Sequence, residues 1–94
     1  GDFETLAPSG DKTSFSLARW RTLSPARQTH VLRYWLDFHG LPMPSEARLH
    51  ELIKQLRNLH ALGHDRQMRL HHANHIISCE KGRVNLLGVG KIVR

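Results

Sequence analysis

The stretch SPARQTHVLRYWLDFHGLPMPSEARLHELIKQL, residues 24–56, decides the fold of this 94-residue chain. It predicts two helices, because Ser24 and Ser45 are good N-cap residues and Pro25 suits the first helical position, where its missing N–H is no loss. Gly40 is placed to end the first helix. The connector GLPMP is stiff, since the residues before its two prolines are pushed toward extended conformations.

Both predicted helices are amphipathic, with apolar residues at helical spacing along one face. These apolar residues are Val31, Leu32, Trp35 and Leu36 in the first helix and Leu49, Leu52, Ile53, Leu56 and Leu59 in the second. We therefore expect Trp35 to lie in the core. Away from the apolar face of the second helix, His50, Lys54 and Arg57 follow one another at positions i, i+4 and i+7. We call these three residues the basic ridge.

The chain changes character after a predicted loop at residues 61–67. The runs MRLHH, HIISC and RVNLLGV have β character, and Ala73-Asn74 and Glu80-Lys81-Gly82 are predicted turns between them. These runs predict a three-stranded antiparallel meander, which FSLARW, residues 15–20, could join as a fourth strand. The predicted fold class is therefore α+β, with two amphipathic helices joined by a short Pro-rich connector and packed with a small antiparallel β-meander.

The domain organisation follows from composition. Residues 1–14 are polar and rich in turn formers, which predicts a flexible N-terminal linker. Residues 15–94 have the length of a single domain, with no room for a separate catalytic domain. No apolar run approaches the roughly 18 residues of a membrane span, and no export signal is visible, so we expect a cytoplasmic protein. The single cysteine, Cys79, fits a reducing compartment.

The charge is unevenly distributed along the chain. The net charge is +6 with histidines neutral, and residues 45–94 hold nine Lys and Arg against four Asp and Glu. Residues 1–44 hold five against four. A basic half of this kind favours a polyanionic partner, most often nucleic acid. The alternative is a solvated surface whose charge serves only solubility.

The histidines near the end of the chain invite a metal interpretation. In a hairpin that turns at Ala73-Asn74, His72 and His75 become neighbours, whereas Cys79 lies at the far end of its strand, beyond easy reach of a shared ion. A helical zincin motif is excluded because its catalytic Glu is missing. We therefore predict a polar hairpin whose histidines gain charge near pH 6, and no functional metal site.

Catalytic motifs are also missing. SGDKTS, residues 9–14, resembles a phosphate-binding loop, but Asp11 stands where a P-loop needs Gly before Lys12, and no apolar strand leads into it. No nucleophile has a local motif around it. We predict no catalytic residue, no metal and no cofactor in this chain, and no ATPase or ligase activity of its own.

A family resemblance rests on residues 23–56, in which LRYWL and GLPMPS precede a Leu-rich helix, and on the basic meander that follows. This combination resembles the middle, substrate-binding domain of bacterial tRNA(Ile)-lysidine synthase. The resemblance implies a parent ligase whose N-terminal domain uses ATP, with Mg, to adenylate the wobble cytidine of tRNA(Ile) with a CAU anticodon. Free lysine then displaces AMP to give lysidine. The middle domain would help to hold the tRNA.

The chain departs from the family pattern at the first hairpin. Family members often have Gly-Gly at this turn and an Arg-rich second strand containing Tyr, whereas this chain has Ala73-Asn74 and Ile77-Ser78-Cys79. We therefore expect tRNA contacts in this half to come from other cations. The residues predicted to contact tRNA phosphates, with no base readout, are His50, Lys54, Arg57, Arg66, Arg69, Lys81 and Arg83.

Two other functions fit the same pattern. Two capped helices joined by a short connector resemble a helix-turn-helix DNA-binding domain. The Pro-Met-Pro connector is stiffer than the usual Gly-containing turn, however, and the would-be recognition helix carries Leu on the face nearest it. A structural spacer domain that makes no direct nucleic-acid contact is the third possibility.

Overall fold

The computed structural model describes residues 1–59 and 68–88. In chain order, the elements are a 3₁₀ helix Phe3–Leu6, β1 Ser14–Ser16, α1 Leu17–Arg21, α2 Pro25–Phe38, α3 Glu46–Asn58, β2 Met68–His72, β3 His75–Glu80 and β4 Arg83–Gly88. The predicted α+β class is confirmed. The predicted loop at 61–67, His60 and Val89 lie outside the described residues.

The two long helices begin where their N-cap residues predict, and α2 ends where Gly40 predicts. The hydroxyl of Ser24 accepts from the backbone N–H of Arg27 at 3.4 Å, and that of Ser45 accepts from the N–H of Arg48 at 3.2 Å. Gly40 follows α2 with φ +75°, in the left-handed region that a residue with a Cβ adopts only at a cost. Local chemistry therefore fixes both limits of α2 and the start of α3.

The segment FSLARW divides between two elements, so its prediction as a single strand is corrected. Residues Ser14–Ser16 form β1, and the Ser16 hydroxyl then caps α1 by accepting from the Arg19 N–H at 3.2 Å. Phe15, Leu17 and Trp20 are all buried. The spacing of two residues between Phe15 and Leu17 is typical of a strand, whereas the spacing of three residues between Leu17 and Trp20 fits a helix.

The four strands form one antiparallel sheet in the order β1-β4-β3-β2. The first hairpin turns at Ala73-Asn74, as predicted, with Ala73 at φ +55°. The second turns at Lys81-Gly82, where φ is +52° and +79°, both positive as a type I′ turn requires. Glu80, predicted to lie in this turn, instead pairs with Arg83 as the last residue of β3.

The two faces of the sheet differ in polarity. One row of cross-strand partners faces the helices and is buried; it comprises Phe15, Val84, Cys79 and Met68. Side chains alternate between faces along a strand, so the neighbouring row lies on the other face; it comprises Ser14, Asn85, Ser78 and Arg69. Of these four, Ser14 and Ser78 are also buried, whereas Arg69 is exposed. We call this second side the outer face of the sheet.

The N-terminal segment packs against α2. Phe3 and Leu6 are buried in the core, and the indole N–H of Trp35 donates to the Lys12 carbonyl at 2.8 Å. Trp35 is fully buried, as predicted. The division of the chain at residue 15 stays a prediction. The structure adds that residues before this division make core contacts that their polar composition does not indicate.

Candidate nucleic-acid interface

The basic ridge lies on the solvent-exposed side of α3. His50, Lys54 and Arg57 are all exposed, while the apolar residues of the same helix are buried. Within the described residues, His50 and Lys54 make no side-chain hydrogen bond or ion pair. The Lys54 ammonium and the His50 ring are therefore accessible to an external anion.

Arg57 differs from its two neighbours because a buried glutamine holds it. Its Nε donates to Oε1 of Gln28 at 2.8 Å. Gln28 is only 4% exposed, and its own Nε2 donates to the carbonyls of Trp20 at 3.3 Å and Arg21 at 3.4 Å. The Arg57 side chain is thus connected through Gln28 to the end of α1.

The ridge faces away from the sheet. Arg48 and Arg57 are nine residues apart, about two and a half helical turns, so they lie on opposite flanks of α3. The Arg48 guanidinium donates to the backbone carbonyl of His71 in β2. Because one flank of α3 faces β2 and the other faces α2, the ridge and the outer face of the sheet are separate surfaces.

The outer face of the sheet and its second hairpin carry the remaining described candidates. Arg69 is exposed in β2, and Lys81 is exposed at the turn between β3 and β4. Neither makes a side-chain hydrogen bond or ion pair with any other residue that the structure describes. The predicted phosphate contacts are therefore not gathered into one patch. Arg66 lies outside the described residues.

Arg83 serves the fold directly. Its Nη1 donates to the carbonyl of Ala7 at 2.7 Å, and its Nη2 donates to the hydroxyl of Ser14 at 2.8 Å. The side chain is partly buried, so it fastens the N-terminal segment to the sheet. A phosphate contact by Arg83 stays a prediction, and it would have to compete with these two hydrogen bonds.

Several other arginines also have partners within the chain. Arg33 pairs with Glu46 at 3.1 Å, and Arg27 lies 3.6 Å from the Asp2 carboxylate. Arg19 donates to the Thr5 carbonyl at 3.1 Å. Part of the positive charge of the described residues is therefore engaged within the fold, and among the described candidates the freest side chains are His50, Lys54, Arg69 and Lys81.

Sequence reasoning missed Gln28. Its position gave a signal, because Gln28, Val31, Leu32 and Trp35 follow one another at the i, i+3, i+4, i+7 spacing of the buried face. A polar residue on such a face must find partners inside the protein. The spacing could have shown that Gln28 is buried, but it could not have identified Arg57 as the partner.

The histidine hairpin forms as predicted. His72 and His75 are cross-strand partners, and His72 Nε2 lies 2.7 Å from the carbonyl of Pro42 in the connector. Cys79 pairs with Met68 at the far end, and burial raises the pKa of its thiol. Over residues 1–59 and 68–88, no three His, Cys, Asp or Glu side chains converge as metal ligands would.

The loop SGDKTS is closed by its own side chains. Asp11 Oδ1 accepts from the hydroxyl of Ser9 at 2.9 Å and from the hydroxyl and the N–H of Thr13 at 2.8 and 3.1 Å. The hydrogen bonds from Thr13 and then from Ser9 lower the pKa of Asp11 to about 2. The Lys12 ammonium lies 4.7 Å from the centre of the Phe38 ring. These contacts make the loop a self-contained turn against α2.

No helix in the described part of the chain is both long and apolar enough to cross a membrane.

The sequence of this chain is similar to the sequences of known proteins. The family model described as TilS substrate binding domain matches residues 15–84. The chain is 59% identical over 83 residues to a tRNA(Ile)-lysidine synthase of Bordetella parapertussis, covering 88% of this chain and 24% of that relative. It is 43% identical over 42 residues to a tRNA(Ile)-lysidine synthase of Neisseria meningitidis serogroup B, covering 45% and 10%. The chain thus spans about a quarter of the length of the first of these curated relatives. No solved structure matches it significantly.

Proposed function

Because the chain belongs to the TilS substrate binding domain family, we propose that it is the part of a tRNA(Ile)-lysidine synthase that holds the tRNA. The observation that carries this proposal is the extent of the family match, since residues 15–84 include all three α-helices and most of the sheet. In the longer parent enzyme, a catalytic domain outside this chain would attach free lysine to the wobble cytidine of the CAU anticodon, using ATP with Mg. A tRNA substrate would place this step in the cytoplasm.

The chain would contribute contacts to the sugar–phosphate backbone. Exposed Lys54 and Arg57 lie on one rigid helix, with His50 one turn before Lys54. Fixed cations of this kind neutralise phosphates without reading base edges. Arg69 and Lys81 would bind a separate stretch of backbone, because they lie on or beside the sheet and not on the ridge.

One observation favours a second candidate, a spacer domain without RNA contact. Arg19, Arg27, Arg33 and Arg83 are each bound to another part of the same chain. Much of the positive charge could therefore serve the fold alone. Nothing comparable favours the helix-turn-helix alternative, because the family match points to tRNA and not to duplex DNA.

The test is a charge reversal in the full-length parent enzyme. Lys54→Glu with Arg57→Glu should weaken tRNA binding in a filter-binding titration and lower the slope of log affinity against log salt. Each phosphate contact contributes about 0.7 to 0.9 to this slope. Lysidine formation should then require a higher tRNA concentration, while circular dichroism shows an intact fold.

A matched control keeps the change in net charge the same. Arg27→Glu with Arg33→Glu also reverses two exposed arginine charges, but on α2 and away from the ridge. Surface ion pairs such as Arg33–Glu46 stabilise little, about 0–1 kcal/mol, so the control should fold. If both double variants bind tRNA as tightly as the wild type, the ridge is a solvated surface, the contacts proposed for it are wrong, and the spacer function is favoured. Duplex DNA serves as a competitor and should displace tRNA poorly.

A further inference from the structure

We propose that Gln28 is a positioning residue for RNA binding, which holds the Arg57 guanidinium so that both of its Nη atoms are directed to a phosphate outside the protein. This inference rests on the proposed function and deepens it. It assigns a role in tRNA binding to a buried, uncharged side chain that touches no RNA itself.

The orientation of the Gln28 amide is fixed by its surroundings. Its Nε2 donates to two backbone carbonyls, those of Trp20 and Arg21. With the amino group committed in this direction, Oε1 points the opposite way and accepts from Arg57 Nε at 2.8 Å. The backbone of Gln28 is held as well, since its carbonyl accepts from the indole N–H of Trp20 at 3.2 Å. If the amide were reversed, its amino group would face the Nε–H of Arg57 and its oxygen would face the two carbonyls, so neither side could form a hydrogen bond.

This hydrogen bond leaves the outer edge of Arg57 available. Arg57 uses Nε, and within the described residues neither Nη atom has a hydrogen-bond acceptor. The planar guanidinium matches a phosphate with two parallel N–H donors. A surface arginine normally loses rotamer freedom when it binds an anion. Arg57 has already lost part of that freedom on folding, so binding an anion costs it less.

Two other arginines with fixed side chains are used differently. Arg83 donates through both Nη atoms to acceptors inside the protein, and Arg48 donates through Nη2 to His71. Arg57 is fixed through Nε instead. Lys54, one turn earlier on the ridge, offers a single ammonium group with no such restraint. This difference predicts that Arg57 depends on its geometry as well as on its charge.

The test is a double-mutant cycle in the full-length parent enzyme, with tRNA affinity measured well below the melting temperature of the weakest variant. Gln28→Met keeps the length of the side chain and removes its hydrogen bonds. Arg57→Ala should weaken tRNA binding about three- to tenfold and reduce the salt slope by about 0.7 to 0.9. Gln28→Met should weaken binding about two- to fivefold with little change in salt slope, because Arg57 keeps its charge. The double variant should bind like Arg57→Ala, because Gln28 acts only through Arg57.

The outcomes separate the two proposals. If Arg57→Ala weakens binding but Gln28→Met lowers only the melting temperature, Gln28 is purely structural and this inference is wrong, while the proposed function stands. Additive losses in the double variant would also overturn it. If Arg57→Ala binds like the wild type while Lys54→Glu weakens binding, Arg57 is no phosphate ligand and only the inference fails. If neither variant affects binding, the ridge itself is rejected.

A second variant keeps the test informative if Gln28→Met fails to fold. Arg57→Lys retains the charge but has neither an Nε–H of the guanidinium kind to donate to Gln28 nor a planar pair of donors. It should bind tRNA about two- to fivefold more weakly than the wild type, with an unchanged salt slope. Arg33→Lys is the matched control and should change affinity little, because Arg33 pairs with Glu46 on the surface and is not among the predicted tRNA contacts. Equal affinity of Arg57→Lys and wild type would overturn the inference.

Discussion

Arg48 and Arg57 lie on opposite flanks of α3 and bind the helix to two different neighbours. Arg48 donates to the His71 carbonyl of β2, whereas Arg57 donates to Gln28 of α2. Rotation of α3 about its own axis would break one hydrogen bond or the other. The direction in which the basic ridge faces is therefore set by polar contacts as well as by the apolar face of the helix.

Replacing Trp35 should destabilise the domain strongly. Trp35→Ala removes a fully buried ring that packs edge-on against Phe15, with ring centroids 4.9 Å apart. The expected loss in the free energy of unfolding is about 3–5 kcal/mol, measured by urea denaturation. Trp35→Phe keeps an aromatic ring and loses the hydrogen bond to Lys12, so it should lose less. An unchanged urea midpoint for Trp35→Ala would show that this core assignment is wrong.

Replacing Ala73 with glycine should stabilise the first hairpin. A left-handed conformation costs an L-residue about 1–2 kcal/mol, and Ala73 adopts one with φ +55°. Glycine removes this cost and so stabilises the folded state. Its greater freedom in the unfolded chain offsets about 0.4–1 kcal/mol of that stabilisation. We expect Ala73→Gly to raise the free energy of unfolding by about 0.5–1 kcal/mol. Ala47→Gly in α3 is the control and should lower it; a loss of stability in both variants would contradict the prediction.

Variants at Arg83 and Lys81 should change different properties of the protein, stability for Arg83 and tRNA binding for Lys81. Hydrogen bonds to a charged group contribute about 1.5–3 kcal/mol, and Arg83→Ala loses two of them at a partly buried site. Because the site is only partly buried, the lower end of this range applies, and Arg83→Ala should lower the free energy of unfolding by about 3 kcal/mol with little effect on the salt slope of tRNA binding. Lys81→Ala, at an exposed site, should lower the salt slope of tRNA binding. Its free energy of unfolding should stay within about 0.5 kcal/mol of the wild-type value. A large fall in salt slope for Arg83→Ala would instead show that Arg83 contacts a phosphate.

Acid should weaken the loop that Asp11 closes. Folding lowers the pKa of Asp11 from 3.8 to about 2, so the folded state favours the ionised carboxylate. This contribution to stability is fully present above about pH 4 and is lost as the pH falls through about 2. The melting temperature of Asp11→Asn should therefore change less between pH 4 and pH 2 than that of the wild type. Parallel pH profiles for the two proteins would contradict the hydrogen bonds assigned to Asp11.

Local signals made much of this fold predictable. Ser24 and Gly40 mark the two ends of α2, and Ser45 marks the start of α3, through contacts with residues a few positions away. The hairpin turns were visible for the same reason. FSLARW was harder, because its residues suit a strand until the Ser16 cap turns the chain into a helix. A short helix of this length gives little periodicity to detect.

Charge in the sequence did not reveal how each charged residue is used. Arg57 and Arg83 look alike in the sequence, yet their hydrogen-bond partners are 29 positions away for Arg57 and 76 and 69 positions away for Arg83. Such partners depend on how the elements pack, which composition and spacing do not specify. The basic ridge was predictable from helical spacing, whereas the support of Arg57 by Gln28 was not.

The contact between Arg48 and His71 also affects the exposed edge of the sheet at β2. In the described part of the sheet, β2 is the last strand in the order β1-β4-β3-β2. An unpaired edge strand is a template for intermolecular strand pairing and aggregation. The Arg48 guanidinium occupies the His71 carbonyl at this edge, and it places a positive charge where an incoming strand would have to dock. We therefore expect the side chain that orients α3 also to oppose self-association of the sheet through β2.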